Sequence, residues 1–119
     1  MKFFTFVLIL IGSSLTLPSD SLAQKPPKIK TEEVSVSGVC DMCKKRIEKA
    51  ALIKGVKLAS WEKETQTLKV IYRPKKVSLD NILQAVADTG HDSAVMKAKS
   101  EAYDLLPGCC KYRDGVEVH

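Results

Sequence analysis

The sequence predicts an α/β (α+β) sandwich with the ferredoxin-like order βαββαβ, a four-stranded antiparallel sheet carrying two helices on one face. Three observations predict it. Apolar residues recur at helical spacing in two segments, 41–54 and 79–89. They alternate with a period of two in the segments around these, and glycine or proline stands at most of the boundaries.

A first strand is expected over residues 31–39, where Val34 and Val36 alternate with Ser35 and Ser37 so that one face is buried. Residues 24–30, QKPPKIK, precede it as an extended lead-in, because proline lacks a backbone donor and fixes φ. In residues 41–54, Cys43, Ile47, Ala50 and Ala51 share one helical face, with lysines, Arg46 and Glu48 on the others, and Gly55 is the expected stop. Residues 56–61 and 68–72 alternate apolar with polar about the turn-like stretch 62–66, which is a hairpin pattern for strands two and three. Trp61 and Tyr72 are read as sheet-packing residues. After Pro74, Ser78 can cap a second helix with Leu79, Ile82, Leu83 and Val86 at i, i+3, i+4 and i+7, and Thr89-Gly90 closes it. Residues 93–97 read as a fourth strand.

Residues 1–23 are set apart as a signal peptide. Lys2, the apolar run 3–11 and the small residues Ser21 and Ala23 have that layout, with cleavage before Gln24, so the protein is expected to be exported, periplasmic or secreted. The apolar run breaks at Gly12, well short of the roughly 18 residues a membrane crossing needs, so no stable membrane insertion is expected after cleavage. The remainder, about 96 residues, suffices for one small core. It divides into the lead-in, a domain over residues 31–97 and a tail over residues 98–119. A net charge of +5 suits solubility and an acidic partner, while scattered lysines and few aromatic residues argue against nucleic acid. The run Lys44-Lys45-Arg46 is read as a solvated helix face, with docking of such a partner as the alternative. No serine, histidine and acid set, paired carboxylates or phosphate-cradling glycine loop stands at a spacing for turnover, so no enzyme is expected.

Cys40-Asp41-Met42-Cys43 stands where the first strand gives way to the first helix, a place where two sulfurs three positions apart converge on one ion. The helix N-terminus and the charges of Lys44, Lys45 and Arg46 are expected to lower both thiol pKa values and favour thiolate. Soft sulfur selects copper(I), zinc and similar ions. A two-thiolate site suits copper(I), whereas tetrahedral zinc wants two further ligands. Copper(I) is therefore the expected ion, with zinc(II) or another soft heavy metal as the alternative.

These residues bring a resemblance into view. GVCDMCKKRIEKA, then GVKLASW, then AVADTGHD, within residues 31–97, resemble the heavy-metal-associated domain family of copper chaperones, mercury-binding periplasmic proteins and modules of metal-pumping ATPases. The resemblance implies the βαββαβ fold, metal transfer by exposed thiolates at Cys40 and Cys43, and a metal-donor or metal-acceptor protein as partner. Members commonly read Gly-Met-x-Cys-x-x-Cys, whereas Gly38 stands two places before Cys40, so this loop is one residue shorter and lacks that methionine. Some bacterial members place a histidine ligand after the second helix, where this chain has His91. The expected topology also brings the end of the second helix to the metal edge, which makes His91 a candidate third ligand.

The tail carries Cys109 and Cys110. If residues 98–108 are helical they span about 16 Å at 1.5 Å per residue, enough to bring both sulfurs back towards the site. Four thiols would make a tighter, a binuclear or a tetrahedral zinc site. Two other readings stay open: disulfides joining Cys40 and Cys43 to Cys109 and Cys110 that pin the tail, and a thiol-disulfide redox pair. His119 is read as disordered.

Overall fold

The computed structural model describes residues 27–119; the expected signal peptide and the start of the lead-in, residues 24–26, lie outside them. Among the described residues no helix is long and apolar enough to cross a membrane. Strand β1 spans Lys30–Ser35, helix α1 Asp41–Ala51, strands β2 and β3 Val56–Glu62 and Thr67–Tyr72, and helix α2 Leu79–Asp88. The strands form an antiparallel sheet in the order β1-β3-β2. Inward residues of the hairpin (Trp61, Leu68, Val70 and Tyr72) meet Cys43, Ile47 and Ala51 of α1 and Ile82, Leu83 and Val86 of α2 in one buried cluster.

Local chemistry explains the helix ends. Ser78 caps α2, its Oγ accepting from the Asn81 amide at 3.1 Å. At the other end Gly90 sits at φ 106°, and a Cβ there would lie 2.8 Å from the carbonyl oxygen of Ala102, so both the turn and the close approach of the tail require glycine. Helix α1 ends at Ala51, short of the expected 54, and the turn in which the Val56 amide bonds the Ile53 carbonyl leads into β2.

The fourth strand is not formed, and among the described residues the sheet has three. Residues 93–97 meet β1 only through the bridge of Ser93 to Val36, flanked by the Ser37 amide on the Asp92 carbonyl at 2.8 Å and the Ala94 amide on the Ser35 carbonyl at 2.9 Å. Side chains take the donors a longer ladder would need. Ser93 Oγ accepts from the amides of Val95 and Met96, and Asp92 Oδ1 accepts from the Ala98 amide at 2.7 Å.

The tail packs onto this frame. Helix α3 takes up only Ser100–Asp104 of the stretch 98–108, and 3-10 turns follow over Gly108–Cys110 and Tyr112–Asp114. Tyr103, Leu106 and Cys110 join the core. The Tyr112 hydroxyl donates to the Gly90 carbonyl at 2.7 Å and accepts from the Asp92 amide at 2.9 Å. Arg113 grips Asp92 with two nitrogens, Nε at 3.0 Å and NH2 at 2.6 Å. Burial works against ionisation of Asp92, but the bonds from Arg113 and the Ala98 amide outweigh it and hold its pKa below the ordinary 3.8. A depressed folded-state pKa contributes stability that is full above 3.8 and is lost as pH falls through the lower folded value. Wild type should therefore melt higher than Asp92→Asn at pH 6, and the gap should close in thermal scans below that range.

Candidate metal centre

The centre starts from the first turn of α1. Cys40 is its N-cap residue, extended at φ −150°, and its carbonyl accepts the Lys44 amide at 3.0 Å. Cys43, three positions on, faces the same way from within the helix. Beneath this loop lies Trp61, fully buried, its Nε1–H donating to the Val36 carbonyl at 2.9 Å. Gly38 rests on its ring: a Cβ there would stand 2.8 Å from Trp61 Cζ2 and 3.1 Å from Cys43 Cβ. The shorter loop is thus fitted to Trp61, a role beyond the sheet packing expected of that residue.

The tail supplies the third sulfur. Cys40 Sγ lies 3.3 Å from Cys43 Sγ and 3.3 Å from Cys110 Sγ, and the three sulfurs all fall within 4.8 Å of one another. All four cysteines are free. Three thiolates around one ion at about 2.3 Å stand about 4.0 Å apart in a trigonal plane, so this trio needs only small adjustments to fit a soft cation.

The electrostatics differ from the sequence expectation. Cys40 and Cys43 are buried rather than exposed, at 4% and 0%. Burial first, then the hydrogen bond to Cys110, pushes the Cys43 thiol up to about 12, so desolvation defeats the helix N-terminus and the basic run there. Cys110 shifts the other way. Burial opposes it, but hydrogen bonds from Cys43, Arg46, Cys40 and Cys109 prevail and lower its pKa. Arg46 NH1 donates to Cys110 Sγ at 3.4 Å.

His91 lies outside the trio. It is fully buried, its Nδ1–H donating to the Ser37 carbonyl at 2.8 Å, and its Nε2 faces Arg46 NH1 at 3.4 Å. Burial, reinforced by the Arg46 charge, lowers its pKa to about 4, so the ring is neutral at ordinary pH. Arg46 stands between His91 and Cys110, its NH1 3.4 Å from each. Arg46→Gln should weaken binding of a soft heavy metal by about tenfold to a hundredfold, the usual cost of losing an outer-shell partner, in a chelator competition titration.

Cys109 also stays out of the trio, so the four-thiol arrangement is not formed. Its pKa is raised, mainly by its hydrogen bond with Cys110. Its Sγ lies 3.9 Å from Cys110 Sγ and 3.7 Å from Met42 Sδ. His119 is placed rather than disordered: its amide donates to the Val39 carbonyl at 2.8 Å and its carbonyl accepts from Lys63 Nζ at 3.0 Å. Of the basic run, Lys44 is tied to Glu48 at 2.9 Å and to the Trp61 carbonyl at 2.7 Å, and Arg46 turns to Cys110; Lys45 is exposed. Nothing in the sequence marked Arg46, Met42 or His119 as neighbours of the tail cysteines, since these contacts arise only when residues 98–119 fold back.

Comparison with family models and with curated proteins finds no match. Solved structures do match. The CopZ metallochaperone is 31% identical with a TM-score of 0.53, over 55% of this chain and 100% of that one. Oxidized MerP from Ralstonia metallidurans is 29% identical with a TM-score of 0.53, over 56% of this chain and 94% of that one. The N-terminal domain of a potential copper-translocating P-type ATPase from Bacillus subtilis, solved in its Cu(I)-loaded state, is 31% identical with a TM-score of 0.52, over 55% of this chain and 84% of that one. Each match is nearly a whole small domain of the relative and a little over half of this chain.

Proposed function

The chain belongs to the heavy-metal-associated domain family, and on that premise we propose that it is a copper(I) carrier of an extracytoplasmic compartment. It holds the ion between Cys40, Cys43 and Cys110 and passes it to a partner protein by stepwise thiolate exchange. The single observation that carries this reading is the trio of free sulfurs within 4.8 Å of one another. Three soft donors with no fourth at equal range suit a monovalent soft ion better than zinc(II), which wants four ligands. Binding replaces the thiol protons, and Arg46 offsets part of the negative charge of the trithiolate complex. The names of the solved relatives, among them a metallochaperone and a Cu(I)-loaded domain, support copper as the ion. The signal-like residues 1–23 are the basis for the compartment, and the chain is a carrier with no reaction of its own.

The reduced full chain should take up a first equivalent of copper(I) tightly under anaerobic competition with a chromophoric chelator, and should be inactive in an insulin-reduction assay. Serine at both Cys40 and Cys43 should abolish that uptake. Uptake unchanged in the double variant, or insulin reduction at the rate of a dithiol oxidoreductase, would overturn the reading. Cell fractionation with N-terminal sequencing tests the compartment, the expected mature chain beginning at Gln24.

A further inference from the structure

The buried trio poses a problem of access. Cys40, Cys43 and Cys110 are almost fully covered, so an ion arriving from solvent or from a partner needs an outer donor set that leads to them. The rim beside the trio holds such a set. Met42, one residue before Cys43, is 52% exposed, and its thioether faces the half-buried Cys109 thiol across 3.7 Å. Cys109 Sγ lies 3.9 Å from Cys110 Sγ, a member of the trio. Cys40, Asp41, Met42, Cys109 and His119 line one open hollow of about 340 Å³. Cys40 belongs to both the hollow and the trio, so sulfur is continuous from the rim to the buried centre.

We propose that Met42 and Cys109 form a second, outer copper(I) subsite, one sulfur-to-sulfur step from the trio, through which the ion enters and leaves. This rests on the reading of the trio as a copper(I) site. A thioether is a neutral soft donor and a thiolate an anionic one, a pairing that selects soft ions over hard ones such as magnesium or calcium. Holding one ion in a line requires the two sulfurs to stand about 4.6 Å apart, twice a metal-sulfur distance of about 2.3 Å. From 3.7 Å that is a small spread, and the flexible, exposed methionine supplies it by rotation. His119 borders the same hollow with its Nδ1–H bonded to the Glu117 carbonyl at 2.8 Å, which leaves Nε2 as the nitrogen with a free lone pair. Loading releases one proton, from Cys109 to solvent, and moves no electron.

The test is a stoichiometric titration of the reduced full chain with copper(I) under nitrogen, against a chelator of known affinity. Wild type should bind two ions, a tight first and a weaker second. Met42→Leu, which keeps the shape of the side chain, and Cys109→Ser should each keep the first and weaken the second by about tenfold or more. With methyl-labelled methionine, the Met42 methyl resonance should move with the second equivalent and not the first. A wild-type chain that binds one ion and no second overturns the outer subsite alone, as does a second ion retained at full affinity in either variant. A chain that binds no first ion overturns the trio reading and the outer subsite together.

Discussion

Cys110→Ser is expected to lower the copper(I) affinity of the first equivalent by about a hundredfold or more, beyond the tenfold-to-hundredfold range of an outer-shell loss. That factor corresponds to about 2.7 kcal/mol. Cys110 is fully buried, touches Cys40 at 3.3 Å and receives Arg46, so its loss removes a soft donor and the sulfur that the guanidinium bonds. Serine keeps the shape but offers a hard oxygen in place of a soft sulfur. Cys109→Ser, one residue away, should cost the first equivalent far less, because Cys109 touches the trio at its edge, 3.9 Å from Cys110, and lies outside the group of three sulfurs. Far-UV circular dichroism of both variants controls for folding. Equal affinities in the two variants would remove Cys110 from the centre and return the site to two sulfurs.

Trp61→Ala should be the most damaging single change to the fold, costing about 3–5 kcal/mol, the usual range for an aromatic cut to alanine in a core. A domain of this kind holds only about 5–15 kcal/mol in all, so the melting temperature should fall by about 15 °C or more. The ring is fully buried, supports Gly38 and satisfies the Val36 carbonyl, while the Trp61 backbone anchors α1 through Glu48 and Lys44. Metal uptake should fail with the fold, since the loop bearing Cys40 would lose its floor. Trp61→Phe keeps most of the apolar area but orphans the Val36 carbonyl, a loss of about 1–3 kcal/mol. A melting temperature for Trp61→Ala within a few degrees of wild type would contradict this role.

Local pattern made much of the chain readable. The period of two in the hairpin, the apolar stripe of α1 and the Ser78 cap of α2 each act over a few residues, so Cys40 and Cys43 could be set at the start of a helix from sequence alone. The misreadings share a cause. Residues 93–97 have strand-like alternation, but Asp92 and Ser93 capture the amides that a ladder to β1 would use, a competition that only the folded geometry decides. The thiol chemistry turned on burial: the helix N-terminus was visible in the sequence, but the depth at which Cys43 sits in the core was not. Choosing between the adjacent Cys109 and Cys110 depends on a 3-10 turn that sends one sulfur inward and the other to the rim, where no sequence period applies. His91 meets Arg46, which also meets Cys110, and a basic residue in a surface-like run gives no sign that it will turn towards a thiol.

X-ray absorption at the copper edge, on the reduced full chain loaded anaerobically with one equivalent of copper(I), tests the central assignment most directly. Three sulfur scatterers at about 2.3 Å and no nitrogen are expected, falling to two in Cys110→Ser. Two sulfurs in the wild type, or a shell containing a histidine nitrogen, would contradict the three-sulfur centre.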